Sequence, residues 1–196
     1  SVIAKGGMRP KSQLAAAVLP FTEGTFGILT RYKGISQLRT YKKLSQHDEL
    51  FTDLDKNAYL SYLFDLADHA FSEYQKLGGY YDLLLVAFNR IVAGQDPEII
   101  AQIVQLQLLD AFGVAPQLGA CVICGKEKGI FDYSIAAGGV VCSDHFRSVS
   151  RLHLSPKATA LIRTLALLPI SRLGEIQIGE DLKKESRRAI AQIAPL

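Results

Sequence analysis

The stretch CVICGKEKGIFDYSIAAGGVVCSDH, residues 121 to 145, holds all three cysteines of a 196-residue chain and one of its four histidines. Cys121 and Cys124 form a CxxC, and after a loop of seventeen residues Cys142 opens a second short pair that closes on His145. A two-residue gap lets a tight turn aim both side chains at one centre, and the loop is long enough for a hairpin that brings the second pair back to the first. That is the outline of a zinc ribbon inserted at residues 118–147. Three thiolates and an imidazole fill the tetrahedron of a structural zinc site and leave no position for water, so the ion implied is one structural Zn2+ per chain. Asp144, beside His145, is the alternative fourth ligand, and a ribbon without metal is the main competing reading.

Other readings of the cysteines fit less well. Gly125, Lys126, Glu127, Lys128 and Gly129 make a polar turn directly after the first pair, an unsuitable setting for thiols that merely fill a core. A thioredoxin-type CxxC opens a helix within a βαβ unit, whereas this one opens a glycine-bounded turn. The base deaminases combine HxE with PCxxC, and His47 and Glu49 do spell HxE. Yet Ala120 precedes Cys121, and the CxxC lies more than seventy residues downstream. His47 and Glu49 are instead expected in the exposed first turn of a helix.

Outward from the ribbon, the chain reads as helical. Ser45 with Asp48 resembles a capping box, and Leu50, Phe51, Leu54, Ala58, Leu63, Leu66, Ala70 and Phe71 recur at helical spacing, predicting a helix to about Tyr74. A second is predicted from Tyr80 to Ala93, stopped by Gly94. Asp96 as N-cap and Pro97 at the first position mark a third, with Gly113 after its last turn. Ser155 and Pro156 repeat that signature for a helix to about Leu168, and a more polar helix is expected from about Glu180 to Ile193.

Residues 1–44 differ. Short apolar segments (VIAK, LAAAVLPF, TFGILTRY, GISQLRTYKKL) are punctuated by Gly6, Gly7, Pro10, Gly24, Gly27 and Gly34, and the alternation of Ile28, Thr30 and Tyr32 suits a half-buried strand. The expectation is a small β unit with too few strands to close a barrel. Ser1 falls inside the VIAK strand, which suggests a natural protein that begins earlier. The fold class is therefore α+β, a β unit over 1–44 followed by a helical domain over 45–196 that carries the ribbon.

Charge divides at the same place. The chain is only +3 overall, but Lys5, Arg9, Lys11, Arg31, Lys33, Arg39, Lys42 and Lys43 face a single acid, Glu23, before residue 45, leaving the remainder net acidic. A run of cations is most often a solvated face. Here it comes with Phe21, Phe26, Tyr32 and Tyr41, and single-strand binders join a cationic groove to aromatic platforms because phosphates need countercharge and every base offers a π face. The aromatics taken singly suit a core, so the cations carry the assignment. In GGMRPKS (6–12), two glycines permit close backbone approach and Arg9 and Lys11 flank a stiffening proline. It is not a Walker loop, and no Ser, His and Asp arrangement with motif context is visible, so the chain is not expected to be an enzyme. No eighteen-residue apolar run or signal segment appears, and cysteines grouped as metal ligands argue against a secreted disulfide scaffold, pointing to a cytoplasmic protein.

The order of these parts resembles a known family. VIAKGGMRPKSQLAAAVLPF, a basic strand region, a helical bundle, the DPEII helix ending in LLDAFGVAPQLGACVICG, and then GGVVCSDH are similar to RecO, the bacterial recombination mediators, over essentially the whole chain. The resemblance implies an N-terminal OB fold, here without its opening strands, and a helical domain with a zinc ribbon. It also implies binding of single- and double-stranded DNA, annealing of complementary strands, and partnership with RecR and with the C-terminal tail of single-stranded DNA-binding protein, to help load RecA in DNA repair. Lys5, Arg9 and Lys11 fall in the family's OB portion, and Cys121, Cys124 and Cys142 on its ribbon positions. His145 departs from the pattern, since metal-containing relatives usually offer a cysteine there. A zinc-ribbon RNA binder of the translation or transcription machinery is the alternative.

Overall fold

The computed structural model describes residues 2–31, 34–174 and 177–194, and the chain forms two compact units, Ser1–Asn57 and Ala58–Leu196. The first unit is built on one three-stranded sheet in the order β1 (Val2–Ile3), β3 (Ser36–Ser45), β2 (Glu23–Leu29). β1 runs parallel to β3, pairing Val2 with Ser36, and β2 runs antiparallel to it, pairing Phe26 with Tyr41. The register slips between Glu23 and Thr25 and again between Gly27 and Ile28. At the second slip a Cβ on Gly27 would stand 2.2 Å from the Thr40 Oγ1, so the strands approach closely only because that residue has no side chain. Ser36, Gln37 and Leu38 are buried, while the rest of β3 is open or half-buried. The expected Ile28, Thr30, Tyr32 alternation is not realised: β2 ends at Leu29, Ile28 and Thr30 are both exposed, and Tyr32 lies outside the described residues. Alternation needs a second layer to bury one face, and the described strands of this unit form a single sheet.

The first helix starts later than the Ser45 capping signal predicts. Ser45 is the last residue of β3, held opposite Glu23, so its backbone belongs to the ladder and cannot turn into a helix. Asp48–Phe51 forms one 3-10 turn, and α1 runs over Leu54–Ala70. Its N-cap is Asp53, whose Oδ1 accepts the Lys56 N–H at 3.1 Å, the role assigned by sequence to Ser45.

In the second unit α2 (Gly79–Val92), α3 (Pro97–Leu108), α4 (Pro156–Leu167) and α5 (Glu180–Ile193) accompany a hairpin of β4 (Phe131–Ser134) and β5 (Gly139–Cys142). α3 is the axis of the core. Ile99, Ile100, Ile103, Val104 and Leu108 are all but inaccessible, and α2, α4 and α5 each pack on it, as expected of a helix apolar on nearly every side. Its start is as the sequence predicts: Asp96 Oδ1 accepts the N–H groups of Glu98 and Ile99, and Pro97 opens the helix. It ends at Leu108, and irregular turns carry the chain on to Gly113. α2 stops at Gly94, which takes the left-handed conformation at φ +90° that a side chain would resist.

α5 is attached differently. It buries only Ser186, Ala189 and Ile190, and charged groups do much of the holding. Arg187 grips the buried Glu98 of α3 through two N–H donors at 2.6 and 2.7 Å. Lys183 reaches Asp96 at 2.6 Å and Glu98 at 3.3 Å, and the Ser186 hydroxyl donates to the Gln102 Oε1 at 3.1 Å. Burial alone would raise the Glu98 carboxyl, but Arg187 and Lys183 outweigh it and hold the group below the usual range. Among the described residues, no helix is long and apolar enough to cross a membrane.

Candidate metal centre and cationic surface

The Cys121–Cys124 segment is a turn closed by Gly125, which sits at φ +73° and donates its N–H to the Cys121 carbonyl at 2.8 Å. Cys142 is the final residue of β5, paired with Phe131, and His145 ends the short 3-10 turn that follows. The two halves are stitched by backbone: Val122 N–H donates to Val140, Val140 N–H to Gln117, and Ser143 N–H to Ile130. Contact is so close at Gly139 that a Cβ there would lie 2.3 Å from the Gln117 carbonyl oxygen.

This framework brings together the four predicted ligands. The sulfurs of Cys121, Cys124 and Cys142 and one nitrogen of His145 all lie within 4.8 Å of one another. Zinc–sulfur bonds of ~2.3 Å at tetrahedral angles set the sulfurs about 3.8 Å apart. Observed separations are 3.7 Å for Cys124 to Cys142, 3.3 Å for Cys142 Sγ to His145 Nδ1 and 3.9 Å for Cys121 Sγ to the same nitrogen. The spacing fits a zinc-sized ion. Asp144, the alternative fourth ligand, faces elsewhere: its carboxylate accepts a hydrogen bond from Lys126 Nζ at 2.9 Å and is largely in solvent. The set of Cys121, Cys124, Cys142 and His145 is the only such group of ligand-type side chains among the described residues. His47 and Glu49 pair with one another at 3.5 Å.

Electrostatics within the cluster are uneven. Burial pushes the Cys121 thiol up, but the N–H groups of Cys124, Cys142 and Ile123 outweigh it and bring it down to about 6. At Cys142 burial, with Cys124 and Cys121 adding in the same direction, raises the thiol against an opposing N–H from Asp144. The Cys142 thiol therefore resists ionisation beside Cys121 and Cys124 without a cation. A divalent metal would remove that conflict by displacing the protons.

Two arginines missed in the sequence reading fix the hairpin to its surroundings. Arg163 of α4 donates to the Leu118 carbonyl at 2.6 Å, to Gly119 at 2.7 Å and to Glu127 at 3.3 Å, with its guanidinium 4.3 Å from the Phe131 ring centre. Arg151 donates to the buried Asp132 at 2.6 Å and stacks on Phe146 at 4.4 Å. Asp132 also accepts the Leu154 N–H, which ties the segment leaving the hairpin back to β4. The one signal in the sequence is weak: an acid at the second position of a strand, between the aromatic residues Phe131 and Tyr133, with an arginine nineteen residues on.

The predicted cations lie in the first unit. Lys5, Arg9, Lys11, Arg31, Arg39, Lys42 and Lys43 are all exposed, and among the described residues none of them joins an ion pair. Lys33 lies outside the described residues. Arg39, Lys42 and Lys43 follow one another along β3, where Lys43 sits at φ +53° beside the register slip. Lys5, Arg9 and Lys11 belong to the loop of successive turns after β1, with Lys11 at φ +66°. Phe26 and Tyr41 are cross-strand partners, both half-buried, and Phe21 is half-buried at φ +58°.

Comparison with known proteins finds relatives over nearly the whole chain. The family model for the C-terminal part of recombination protein O matches residues 52–194. A curated relative from Lactobacillus delbrueckii subsp. bulgaricus, named DNA repair protein RecO, is 99% identical over 193 residues, covering 98% of this chain and 78% of its own length. Proteins of the same name from Lactobacillus acidophilus and Limosilactobacillus fermentum are 60% and 34% identical, covering 98% and 96% of this chain and 78% and 70% of theirs. With a family match across the helical unit and its cysteine hairpin, and relatives that extend through the basic β unit, the chain belongs to the RecO family.

Proposed function

We propose that this chain acts in DNA repair as a mediator that binds single- and double-stranded DNA through the cations of its first unit and promotes annealing of complementary strands. In this reading residues 1–44 are part of an OB fold, residues 45–196 are a helical domain, and the hairpin at 118–147 is a zinc ribbon. Cys121, Cys124, Cys142 and His145 hold a structural Zn2+ that fastens the hairpin in shape. The DNA contacts are Lys5, Arg9, Lys11, Arg31, Lys33, Arg39, Lys42 and Lys43. Partners are RecR, the C-terminal tail of single-stranded DNA-binding protein and, through them, RecA loaded at gaps, in the cytoplasm close to the nucleoid.

The observation that carries the reading is the set of seven exposed cations that, among the described residues, join no ion pair. Phosphate recognition needs cations that are not already neutralised by the protein. Annealing requires no bond chemistry: countercharge that relieves repulsion between two strands lowers the barrier, and base pairing supplies the free energy. No enzymatic step is needed for such work. The test is fluorescence anisotropy with labelled oligonucleotides across a salt series, run beside an annealing assay. If about four cations touch phosphates, log affinity for a single strand falls with log salt at a slope near −3. Equal affinity for RNA with no strand annealing would favour the RNA-binding alternative.

A further inference from the structure

We propose that Cys124 is an oxidant-sensitive site at which a hydroperoxide opens the metal centre, with Cys142 as the resolving thiol. This rests on the reading of the cluster as a zinc site and adds a chemistry to it. The three sulfurs are not equivalent. Cys121 is 3% exposed and Cys142 fully buried, whereas Cys124 is open to solvent. The Cys121 sulfur also accepts the Cys142 N–H at 3.3 Å, which draws electron density from it, and its burial shields it from a peroxide. Cys124 sits at the tip of the turn, next to Gly125 in its left-handed conformation. The Cys142 sulfur lies 3.7 Å away across the cluster. Closing that gap to a disulfide of about 2.05 Å needs a movement of about 1.7 Å, which an exposed turn can supply.

The chemistry balances with a hydroperoxide as oxidant. The Cys124 thiolate attacks one peroxide oxygen; the S–O bond forms, the O–O bond breaks, and the departing hydroxide or alkoxide takes a proton from solvent. Cys124 is then a sulfenic acid. The Cys142 thiolate attacks that sulfur, the S–S bond forms, the S–O bond breaks, and hydroxide leaves to become water. Two electrons pass from two thiolates to one peroxide. Cys121 and His145 remain as donors, too few to fill a tetrahedron, so the ion is lost; reduction of the disulfide restores the set.

The experiment uses the full chain loaded with zinc, its metal content measured first. Hydrogen peroxide is added in the presence of a metallochromic dye, with a sulfenic-acid trap in one arm and non-reducing peptide mapping in the other. The expected result is about one zinc released per peroxide consumed, the trap on Cys124, a Cys124–Cys142 disulfide, and recovery on adding reductant and zinc. Cys124→His keeps four donors as a Cys2His2 set and is expected to slow release at least about tenfold because it removes the accessible thiol. Should that variant fail to load, mapping of the unaltered chain decides alone. A chain that takes up no zinc overturns the zinc reading itself. Zinc that is loaded but survives oxidation of Cys124, or is released with the trap on Cys121 or Cys142, overturns only the present proposal.

Discussion

The cysteine hairpin and the basic β unit are both candidate binding surfaces, yet they are built on opposite principles. In the hairpin, four donor atoms converge within 4.8 Å, and backbone bonds from Val122, Val140 and Ser143 stitch the two halves together. In the β unit, seven described cations are strung along one strand and the loops beside it, exposed and without ion pairs. A small ion demands fixed distances, because the strength of a tetrahedral site falls off with tenths of an ångström. A polyanion demands only unneutralised charge on an accessible surface, since phosphates and their counterions average over position. The hairpin should therefore respond sharply to single substitutions, and the β unit gradually to several.

The largest effect expected is from the metal. If the hairpin is a zinc ribbon, stripping zinc with a strong chelator, or changing Cys142→Ser, lowers the stability of the helical unit by on the order of 5 kcal/mol or more, read as a fall in the unfolding midpoint that added zinc reverses for the unaltered chain. An unchanged midpoint would mean that the hairpin holds its shape without a metal. Binding should also release protons at neutral pH, because the raised Cys142 thiol must ionise; zinc affinity then falls as pH is lowered, measurable by chelator competition.

Next comes the ionic attachment of α5. Glu98→Ala removes both Arg187 hydrogen bonds and one of the two carboxylates near Lys183, which keeps Asp96, and with the Arg187 side chain about half exposed it is expected to cost about 2 kcal/mol. The pH dependence has a definite sign. Because the Glu98 carboxyl is held below its usual range, its contribution is fully present above the unfolded value of about 4.3 and is lost as pH falls through the lower folded value. Acid titration of the unaltered chain and of Glu98→Gln, followed by circular dichroism, should converge at the acid end and diverge above it. Parallel curves throughout would contradict the assigned role.

A smaller effect is expected at Arg163. Its three carbonyl bonds hold the loop that carries Cys121 and Cys124, and residues that orient ligands without touching the ion typically alter affinity by ~10-fold or more. Arg163→Ala is therefore predicted to weaken zinc binding about tenfold, with Arg163→Lys close behind because a point charge cannot serve three carbonyls and a ring at once. Equal zinc affinity in all three proteins would show that the hairpin needs no such anchor.

The same contrast explains what could be read from the chain alone. A Cys and His cluster announces itself by local spacing, so the grouping of Cys121, Cys124, Cys142 and His145 is legible in the sequence, and caps such as Asp96–Pro97 and Ser155–Pro156 act within one turn. Ser45 misled because its capping pattern is local too, while its actual place is decided by pairing with Glu23 twenty-two residues away. Arg163 and Arg151 escaped notice for a related reason: their partners are backbone carbonyls and a buried acid in another part of the chain. The choice between Asp144 and His145 also needed three dimensions, since only the position of Lys126 shows which of two neighbours turns outward.

The central claim is that the cations of the first unit grip nucleic-acid phosphates. Its most direct test is the salt dependence of single-stranded DNA binding by the unaltered chain and by a variant with Arg9, Lys11, Lys42 and Lys43 changed to Gln. The slope of log affinity against log salt should lose about 0.7 for each contact removed, flattening by nearly 3 in the quadruple variant with affinity reduced alike for every sequence. A variant that retains both the affinity and the slope of the unaltered chain would contradict it.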